Sequence, residues 1–429
     1  MLTDDSYPML SVESARQRIL ARVSTLGAVM IPILDALGRV LACDQKAEAD
    51  VPPHDNSAMD GYAVRAGDLT GSAGAHPRLR VIGELPAGQV WAGEVSSGEA
   101  LRIMTGAPIP RDADTVVRFE EAEPQGEWVV IREVPRRGSN VRRAGEDIRE
   151  GDVVLRRGQI LRPQEIGMLA SMGHSRALVY RRPRVAVLAT GDEIIPIDAP
   201  PSPGKVRNIN SYSIAAQIAE AGGVSLVLEI APDQEDSLSN RLRRALELGS
   251  DMIVTSGGVS VGDFDLVKHV LNTEGRVDFW WVNMKPGKPM AFGSIAGVPL
   301  LALPGNPVAA MISFWLFGRP AVRKMLGHTF WELAEVQARL REAVSRKDGR
   351  RHYLRVRLYE TDEGLEAALT GDQGSGILMS MVSADGLAVI PEDRDHLEAG
   401  SMVKVLLFRE PARIPGFTCF EPADREPIG

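Results

Sequence analysis

Residues 183–193 read PRVAVLATGDE, a mostly apolar run followed by a polar loop. The pattern returns in VSLVLEIAPDQED (residues 224–236) and in MIVTSGGVSVGDFD (residues 252–265). Segments with apolar residues at helical spacing separate these runs. Strands that are apolar on both faces and alternate with amphipathic helices form a parallel sheet with helices on each side. The sequence therefore predicts a central parallel-sheet α/β domain with helices on both faces.

The sequence on either side of this domain has a different pattern. Near the N-terminus, Ser11 is well placed to cap an amphipathic helix. Residues 60–180 contain short apolar runs separated by glycine, proline and aspartate, which indicates small β-rich domains. After a helical run at residues 309–325, strand patterns return and predict a β domain at the end of the chain.

Length and composition exclude several classes of protein. A chain of 429 residues with 44% hydrophobic and 25% charged residues is expected to fold into several globular domains. No run approaches the length of a membrane span, and the first residues lack a signal-peptide pattern. The formal charge of -8 gives no general attraction for nucleic acid. The two cysteines, Cys43 and Cys419, lie far apart, which favours a reducing cytoplasm.

Acidic residues occupy the strand-to-helix loops of the predicted α/β domain, where such sheets bind ligands. Glu193, Asp233 and Asp265 are expected to converge at one edge of the sheet. Unpaired carboxylates repel each other unless they coordinate a hard cation such as Mg²⁺. The alternative is that Asp233 or Asp236 caps a helix and that Glu193 is solvated.

Other loops have the residue types of an anion site. The glycines at residues 257–258 let backbone N–H groups approach a phosphate, although such turns also serve only as connections. The segment MKPGKP (residues 284–289) presents two lysines that could hold a tetrahedral oxyanion, with a solvated basic turn as the alternative. LPGNP (residues 303–307) forms a turn before a helix, and DNSAMDGY (residues 55–62) is by itself only a tight turn.

Together, eight segments resemble, in the same order, the signature sequences of the molybdopterin molybdenumtransferases, a family that includes the C-terminal part of gephyrin. They are DNSAMDGYAV (55–64), RIMTGAPIP (102–110), RRAGEDI (142–148), TGDE (190–193), SGGVSVGDFD (256–265), KPGKP (285–289), LPGNPV (303–308) and GDQGSG (371–376). The resemblance extends over nearly the whole chain. Ordered agreement of this kind is far more specific than any single loop.

The resemblance implies a multidomain α/β plus β fold and an elongated homodimer. The active site would lie between the α/β domain of one subunit and the inserted and terminal domains of the other. A molybdopterin adenylyltransferase is a candidate docking partner. The implied domains are an α/β domain of residues 1–27 with 183–328, a small linking β domain of 28–50 with 152–182, an inserted β-rich domain of 51–151 and a C-terminal β-barrel-like domain of 329–429.

The implied reaction takes adenylylated molybdopterin and molybdate, releases AMP and leaves molybdenum bound by the dithiolene, with Mg²⁺ assisting. Molybdate suits lysine, arginine and hydroxyl donors, whereas the phosphoanhydride needs a cation to neutralise its departing charge. The matching catalytic positions are Asp60, Thr105, Asp147, Glu193, Asp233 and Asp265, of which the last three would hold the metal. The matching positions for pterin, nucleotide or oxyanion are Gly257, Gly258, Ser260, Gly262, Lys285, Lys288, Pro289, Pro304, Pro307, Arg355 and Ser375.

One position departs from the family pattern. Ala309 follows LPGNPV where the family often has serine, so one hydroxyl contact to the oxyanion is expected to be missing. The missing hydroxyl is expected to affect anion affinity and the preference for molybdate over tungstate.

Two other functions stay open, a non-catalytic pterin-binding or scaffold paralogue and a tungstate-handling variant. The set of acids and lysines favours catalysis, since a scaffold does not need mutually repelling carboxylates.

Overall fold

The structure is a computed structural model that describes residues 9–70, 76–258 and 266–408. Contacts between residues divide the chain into two compact units. The α/β–barrel unit consists of the described parts of 1–29 and 180–429, and the inserted unit lies within 30–179. In the described part of the chain, no helix is both long and apolar enough to cross a membrane. The division into four domains stays a prediction.

Helix α1 (Val12–Arg22) begins as the sequence predicts, because the Ser11 hydroxyl accepts a hydrogen bond from the Ser14 N–H at 3.1 Å. Helix α2 (Pro163–Ser171) follows later, and 3₁₀ turns occur at Ile33–Ala36, Ala66–Leu69 and Phe119–Glu121. The strands up to residue 180 are β1 (Ala28–Pro32), β2 (Gln45–Lys46), β3 (Asn56–Ser57), β4 (Gly61–Val64), β5 (Arg78–Leu85), β6 (Glu99–Ile103), β7 (Thr115–Arg118), β8 (Ala122–Gln125), β9 (Trp128–Ile131), β10 (Val141–Arg142), β11 (Val153–Leu155) and β12 (Arg176–Tyr180).

The main sheet of the inserted unit has the strand order β7-β4-β6-β5-β9-β8, and the pairs β3–β10 and β2–β11 accompany it. Side chains alternate between the two faces of the sheet. Val64 and Val117 therefore belong to one apolar cluster, whereas Ala63 and Val116 belong to another. The short apolar runs of the sequence are confirmed as strands of a β-rich unit.

The α/β domain belongs to the other unit. Its strands are β13 (Arg184–Ala189), β14 (Ile194–Ile195), β15 (Val206–Arg207), β16 (Val224–Val227), β17 (Met252–Ser256), β18 (Gly275–Trp281), β19 (Met284–Lys285), β20 (Pro289–Ile295) and β21 (Val298–Leu303). Its helices are α3 (Asn210–Glu220), α4 (Glu235–Glu247), α5 (Leu266–Glu274), α6 (Pro307–Ser313) and α7 (Arg319–Met325), with a π-helical turn at Phe314–Gly318 between the last two.

The central sheet has the order β16-β13-β17-β21-β20-β18. Strands β16, β13 and β17 are parallel, as predicted. Strand β21, which was not predicted, continues the sheet in the parallel sense, whereas β20 and β18 extend this edge in the antiparallel sense. Val185 and Val187 share a core cluster with α1, α3, α6 and α7. Ala186 and Leu188 share another with α4 and α5. Helices therefore cover both faces of the sheet, which confirms the predicted layers.

The start of α4 corrects the sequence interpretation. Gln234 occupies the N-cap and Glu235 is the first helical residue. Neither Asp233 nor Asp236 caps this helix, so the capping part of that alternative is wrong, whereas Glu193 is exposed, as its other part expected. Asp236 lies in the first turn, where its negative charge interacts favourably with the helix dipole.

The C-terminal part of this unit forms the predicted barrel. Its elements are β22 (Glu335–Leu340), β23 (Val344–Ser345), β24 (Arg351–Thr361), β25 (Gly364–Leu369), α8 (Leu378–Val382), β26 (Gly386–Ile390), β27 (His396–Leu397) and β28 (Met402–Leu407). Strands β24, β25, β22, β28 and β26 pair in that order, and β26 pairs again with β24. The ring is closed, and its interior is apolar.

The barrel and the α/β domain pack against each other through β24. Strand β19 pairs with β24 in the parallel sense, with Lys285 opposite His352. Leu354 and Val356 face the barrel core, so the alternating residues Tyr353 and Arg355 face outward. Tyr353 joins the core cluster of the α/β domain. This alternation brings Arg355 to the loops of the α/β domain.

Candidate functional site

A cavity of about 480 Å³ lies between the loops of the α/β domain and the barrel. Its lining includes residues from both sides, within 284–309 and within 346–375. The predicted site residues among them are Lys285, Lys288, Pro289, Pro304, Arg355 and Ser375. The structure therefore brings together six predicted residues from separate parts of the sequence.

Two other predicted positions lie around the start of α6. Pro307 opens this helix directly after Asn306, and Asn306 rather than Pro307 lines the cavity. Ala309 lines the cavity with a methyl group, so this position offers no hydroxyl donor. The backbone N–H of Val308 donates to the carbonyl of Ser375 at 3.1 Å, which attaches the barrel loop to the first turn of α6.

Arg355 is fully buried, and its guanidinium has uncharged hydrogen-bond partners. Nε donates to Ser380 Oγ at 3.0 Å, and Nη2 donates to the Gly374 carbonyl at 2.9 Å. Burial lowers the pKa of Arg355 to about 10, so the group remains charged at neutral pH. A buried cation held by a hydroxyl and a carbonyl keeps its charge available for an anion.

The two lysines of the cavity are held in different ways. Lys288 Nζ lies 5.2 Å from the ring centre of Trp281, a cation–π contact. Lys285 Nζ donates to Asp348 Oδ2 at 3.1 Å, and His352 Nε2 donates to Asp348 Oδ1 at 2.7 Å. Partial burial raises the pKa of Asp348, but the hydrogen bonds from His352 and Lys285 outweigh it and lower this pKa to about 2. Burial also lowers the pKa of His352 below its usual value.

The charge of the cavity is strongly unbalanced. Among its described lining residues, the charged groups are the cations Lys285, Lys288, Arg346, Arg350 and Arg355 and a single carboxylate, Asp372. A concave surface lined mainly by one sign of charge concentrates ligands of the opposite sign. The cavity is therefore suited to a small anion.

The predicted acidic loops also meet at one sheet edge. The Asp233 N–H donates to Asp192 Oδ1 at 3.1 Å, and the Asp192 N–H donates to Asp233 Oδ2 at 3.3 Å. The Glu193 carboxylate folds back over Gly191, where an added Cβ would lie 2.5 Å from Glu193 Oε2. The loops after β13 and β16 therefore bring their carboxylates close to each other.

The predicted metal site is only partly within the described residues. Asp265 lies outside them, as do the predicted loop residues Ser260 and Gly262. Across 9–70, 76–258 and 266–408, no group of three or more His, Cys, Asp or Glu side chains is arranged to hold a metal ion. The oxygens of Asp192 and Asp233 are nevertheless the donor type that Mg²⁺ prefers. The three-carboxylate site stays a prediction.

The glycines after β17 have a clear geometric role. Gly257 and Gly258 have φ values of +96° and +67°, in the left-handed region. A Cβ at Gly257 would lie 2.4 Å from the carbonyl oxygen of Thr190. The glycines therefore let the loop after β17 pass directly against the loop after β13.

Three polar residues of this region were not predicted from the sequence. Asn210 Nδ2 donates to Ser256 Oγ at 2.6 Å and to the Gly305 carbonyl at 2.7 Å, which joins the loops after β17 and β21. The other two are Asp348 and His352, described above. In the sequence, Asp348 and His352 belong to a run of charged residues at the start of a strand. Such a run usually lies on a solvated surface, so it did not mark them as site residues.

The inserted unit brings its own motif segments together. Strand β3, in the first segment, pairs with β10, in the third. Asp60 accepts hydrogen bonds from the Thr105 N–H at 2.7 Å and from the Thr105 hydroxyl at 2.8 Å, and these lower the pKa of Asp60. Asp147 has an exposed side chain, and its backbone N–H donates to the carbonyl of Val51 at 3.1 Å. Asp60 and Thr105 therefore form a defined pair.

Models of protein families match three consecutive parts of the chain. The model described as the MoeA N-terminal region (domain I and II) matches residues 10–173. The model described as a probable molybdopterin binding domain matches residues 186–324, and the MoeA C-terminal region (domain IV) matches residues 337–408.

Curated relatives and a solved structure resemble the chain over nearly its whole length. The molybdopterin molybdenumtransferase of Haemophilus influenzae is 34% identical over 405 residues, which cover 92% of this chain and 98% of the relative. Molybdopterin molybdenumtransferase 2 of Mycobacterium tuberculosis is 35% identical, with coverages of 92% and 99%. The crystal structure of the molybdopterin biosynthesis moea protein from Pyrococcus horikosii has a TM-score of 0.83 at 33% identity and covers 94% of this chain and 100% of that one.

The fold and the cavity define a multidomain α/β protein with a cavity lined mainly by cationic side chains. A sequence identity above 30% to the curated relatives, over nearly the full length of the chain, narrows this class to one family. The chain belongs to the molybdopterin molybdenumtransferase family and is an enzyme of molybdenum cofactor biosynthesis.

Proposed function

We propose that this enzyme inserts molybdate into adenylylated molybdopterin and releases AMP, with Mg²⁺ assisting. The observation that carries the proposal is the cationic cavity between the α/β domain and the barrel. Molybdate is a tetrahedral dianion, so it needs several charge-assisted donors in a confined space. Lys285, Lys288 and Arg355 supply such donors from two sides of the cavity, and the Ser375 hydroxyl adds a neutral one.

The proposed roles divide between an oxyanion site and a phosphate site. Pro289, Pro304 and Pro307 shape the loops around the oxyanion. Backbone N–H groups of the loop that contains Gly257, Gly258, Ser260 and Gly262 would hold pterin or nucleotide phosphate. Glu193, Asp233 and Asp265 would hold Mg²⁺, which neutralises charge on the departing phosphate when it is bound.

We also propose four further properties that the family resemblance implies. They are a homodimer, a functional role for Asp60, Thr105 and Asp147, a cytoplasmic location and docking to a molybdopterin adenylyltransferase. The hydrogen bonds between Asp60 and Thr105 support a functional role for these two residues, because they keep an ionised carboxylate in a defined position. Sedimentation equilibrium tests the dimer, for which about twice the chain mass of 46.5 kDa is expected.

Release of AMP tests the proposed reaction directly. Wild-type protein with adenylylated molybdopterin and Mg²⁺ is expected to release AMP only when molybdate is added. Lys288→Ala is expected to slow this release roughly ten- to hundredfold, because it removes a charged donor to the anion. The measurement is AMP against time at fixed molybdate.

Lys347→Ala is the matched control, because Lys347 is an exposed lysine of the barrel that does not line the cavity. Its rate is expected to equal that of wild type. A wild-type protein that shows no molybdate-dependent AMP release contradicts the proposed reaction. A Lys288→Ala variant with the wild-type rate contradicts only the role of that lysine.

A tungstate-handling variant is the second candidate, and the methyl group of Ala309 in the cavity lining is the observation that favours it. A missing hydroxyl donor changes the set of hydrogen bonds that distinguishes similar oxyanions. Isothermal titration with molybdate, tungstate and sulfate separates the candidates. Tighter binding of tungstate supports the variant, whereas equal binding of all three anions counts against both.

A further inference from the structure

A short charged segment of the barrel, RKDGRRH (residues 346–352), borders the cationic cavity. Asp348 is the acidic residue of this segment, and its side chain is 29% exposed. One carboxylate oxygen accepts from Lys285 Nζ at 3.1 Å, and the other accepts from His352 Nε2 at 2.7 Å. The carboxylate therefore connects a cavity lysine to a histidine side chain that is only 2% exposed.

The contact with Asp348 restricts a side chain that otherwise has much freedom. The Lys285 side chain is 54% exposed, and a long exposed lysine loses considerable rotamer entropy when it binds a ligand. An ammonium group has three N–H donors, so one contact with Asp348 leaves two for an anion. Holding Lys285 before the anion arrives reduces the entropy that binding must overcome.

The same segment is firmly attached to the loop that carries Lys285. Lys285 and His352 are register partners in the parallel pair β19–β24. Asn283 Nδ2 donates to the Gly349 carbonyl at 3.1 Å, and the Arg351 N–H donates to the Asn283 carbonyl at 3.3 Å. The residues directly after Asp348 are thus held against the Lys285 loop by a side-chain and a backbone contact, as a positioning group requires.

A carboxylate beside Lys285 also has an opposing effect, because it partly neutralises the charge that attracts the anion. The cavity lining still includes Lys288, Arg346, Arg350 and Arg355 against one carboxylate, Asp372. The cavity thus stays positive when Lys285 and Asp348 are counted as a neutral pair. Orientation of the ammonium is therefore expected to outweigh the local loss of charge.

We propose that Asp348, supported by His352, is a positioning residue that holds the Lys285 ammonium group toward the oxyanion bound in the cavity. This inference rests on the proposed function of that cavity. It extends the site to a carboxylate outside the cavity lining and to a mostly buried imidazole that borders the cavity.

The test compares Asp348→Asn, His352→Leu and His352→Gln with wild type. Asp348→Asn removes the charged partner of Lys285 and is expected to raise the KM for molybdate roughly tenfold, with kcat at saturating molybdate within about twofold of wild type. His352→Leu removes the hydrogen bond from His352 to Asp348 and is also expected to raise the KM for molybdate. In His352→Gln the amide N–H replaces Nε2 as the donor to Asp348, so KM is expected to return toward the wild-type value.

Isothermal titration with molybdate alone accompanies the kinetics, and its dissociation constants are expected to follow the KM values. Asp393→Asn is the matched control, because it removes an exposed barrel carboxylate that does not line the cavity. It is expected to behave as wild type. Thermal unfolding of every variant shows whether it is folded, and if Asp348→Asn does not fold, the two His352 variants decide the question.

An unchanged or lower KM in folded Asp348→Asn overturns the proposal, and a lower KM means that Asp348 competes with the anion. Equal KM values for His352→Leu and His352→Gln overturn the role of His352. A wild-type protein that releases no AMP contradicts the proposed reaction instead. In that case the titrations with molybdate alone still test how Asp348 acts on anion binding.

Discussion

Gly257 lets two loops of the α/β domain pass directly against each other. Its φ of +96° lies in the region that side chains disfavour, and an added Cβ would meet the Thr190 carbonyl oxygen at 2.4 Å. Gly249 provides an informative comparison, because its φ of +68° is also left-handed but no atom lies within 4 Å of an added Cβ. Substitutions at the two positions therefore distinguish the effect of backbone strain from the effect of a close contact.

Gly257→Ala is therefore expected to be more damaging than Gly249→Ala. Left-handed strain alone is expected to lower the free energy of unfolding by about 1 kcal/mol in Gly249→Ala. The additional clash is expected to bring the loss to about 2–4 kcal/mol in Gly257→Ala. Urea unfolding of both variants is the measurement. Equal losses would contradict the role assigned to the close approach of the two loops.

At the scale of elements, helix α2 depends on an acidic residue in its first turn. Glu165 accepts a hydrogen bond from the Arg162 N–H at 2.8 Å and another from Arg162 Nη2 at 2.6 Å. The side-chain hydrogen bond from Arg162 is the main reason why the pKa of Glu165 falls to about 2. The ionised carboxylate therefore stabilises the start of this helix.

The stability that Glu165 contributes is expected to depend on pH. Its pKa is lower in the folded state than in the unfolded state, so the contribution is complete above about pH 4.5 and is lost as the pH falls toward about 2. Glu165→Ala is expected to lower the free energy of unfolding by about 1–2 kcal/mol at pH 7, and less at pH 3. Urea unfolding at several pH values measures this difference. Glu150→Ala, at an exposed position, is the control, and a pH-independent loss in Glu165→Ala would refute the assignment.

At the scale of the whole molecule, the barrel and the α/β domain share a hydrophobic core. Tyr353, Met381 and Leu387 from the C-terminal part belong to the same buried cluster as Val308 and Phe314 of the α/β domain. Removal of a shared core residue should therefore weaken both parts. The two parts are expected to unfold as one cooperative unit.

Leu387→Ala tests this coupling, because Leu387 is fully buried in the shared cluster. The expected loss in the free energy of unfolding is about 2–4 kcal/mol. Hydrogen exchange is expected to show equally reduced protection of slowly exchanging amides in β24 and in α6. Leu34→Ala, at a site that is 84% exposed, is expected to change stability by less than about 0.5 kcal/mol. Reduced protection in the barrel alone would show that the two parts unfold independently.

Local patterns in the sequence determined the elements and layers of the α/β domain. Apolar runs predicted β13 and β17, and Ser11 predicted the start of α1, because these features depend on residues a few positions apart. The antiparallel strands β18 and β20 were not predicted, since their pairing depends on distant partners. The eight motifs and their order along the chain were enough to indicate the family, because such a resemblance depends on residue types and not on the three-dimensional structure.

Only the tertiary structure decided how the functional groups are arranged. It brought Lys285 and Arg355 into one cavity, closed the barrel between β24 and β26, and placed Asp348 between Lys285 and His352. In the sequence, RKDGRRH has the pattern of a solvated charged segment. Its electrostatic effect depends on distances through space and on burial, and folding alone sets both of these for residues far apart in the chain.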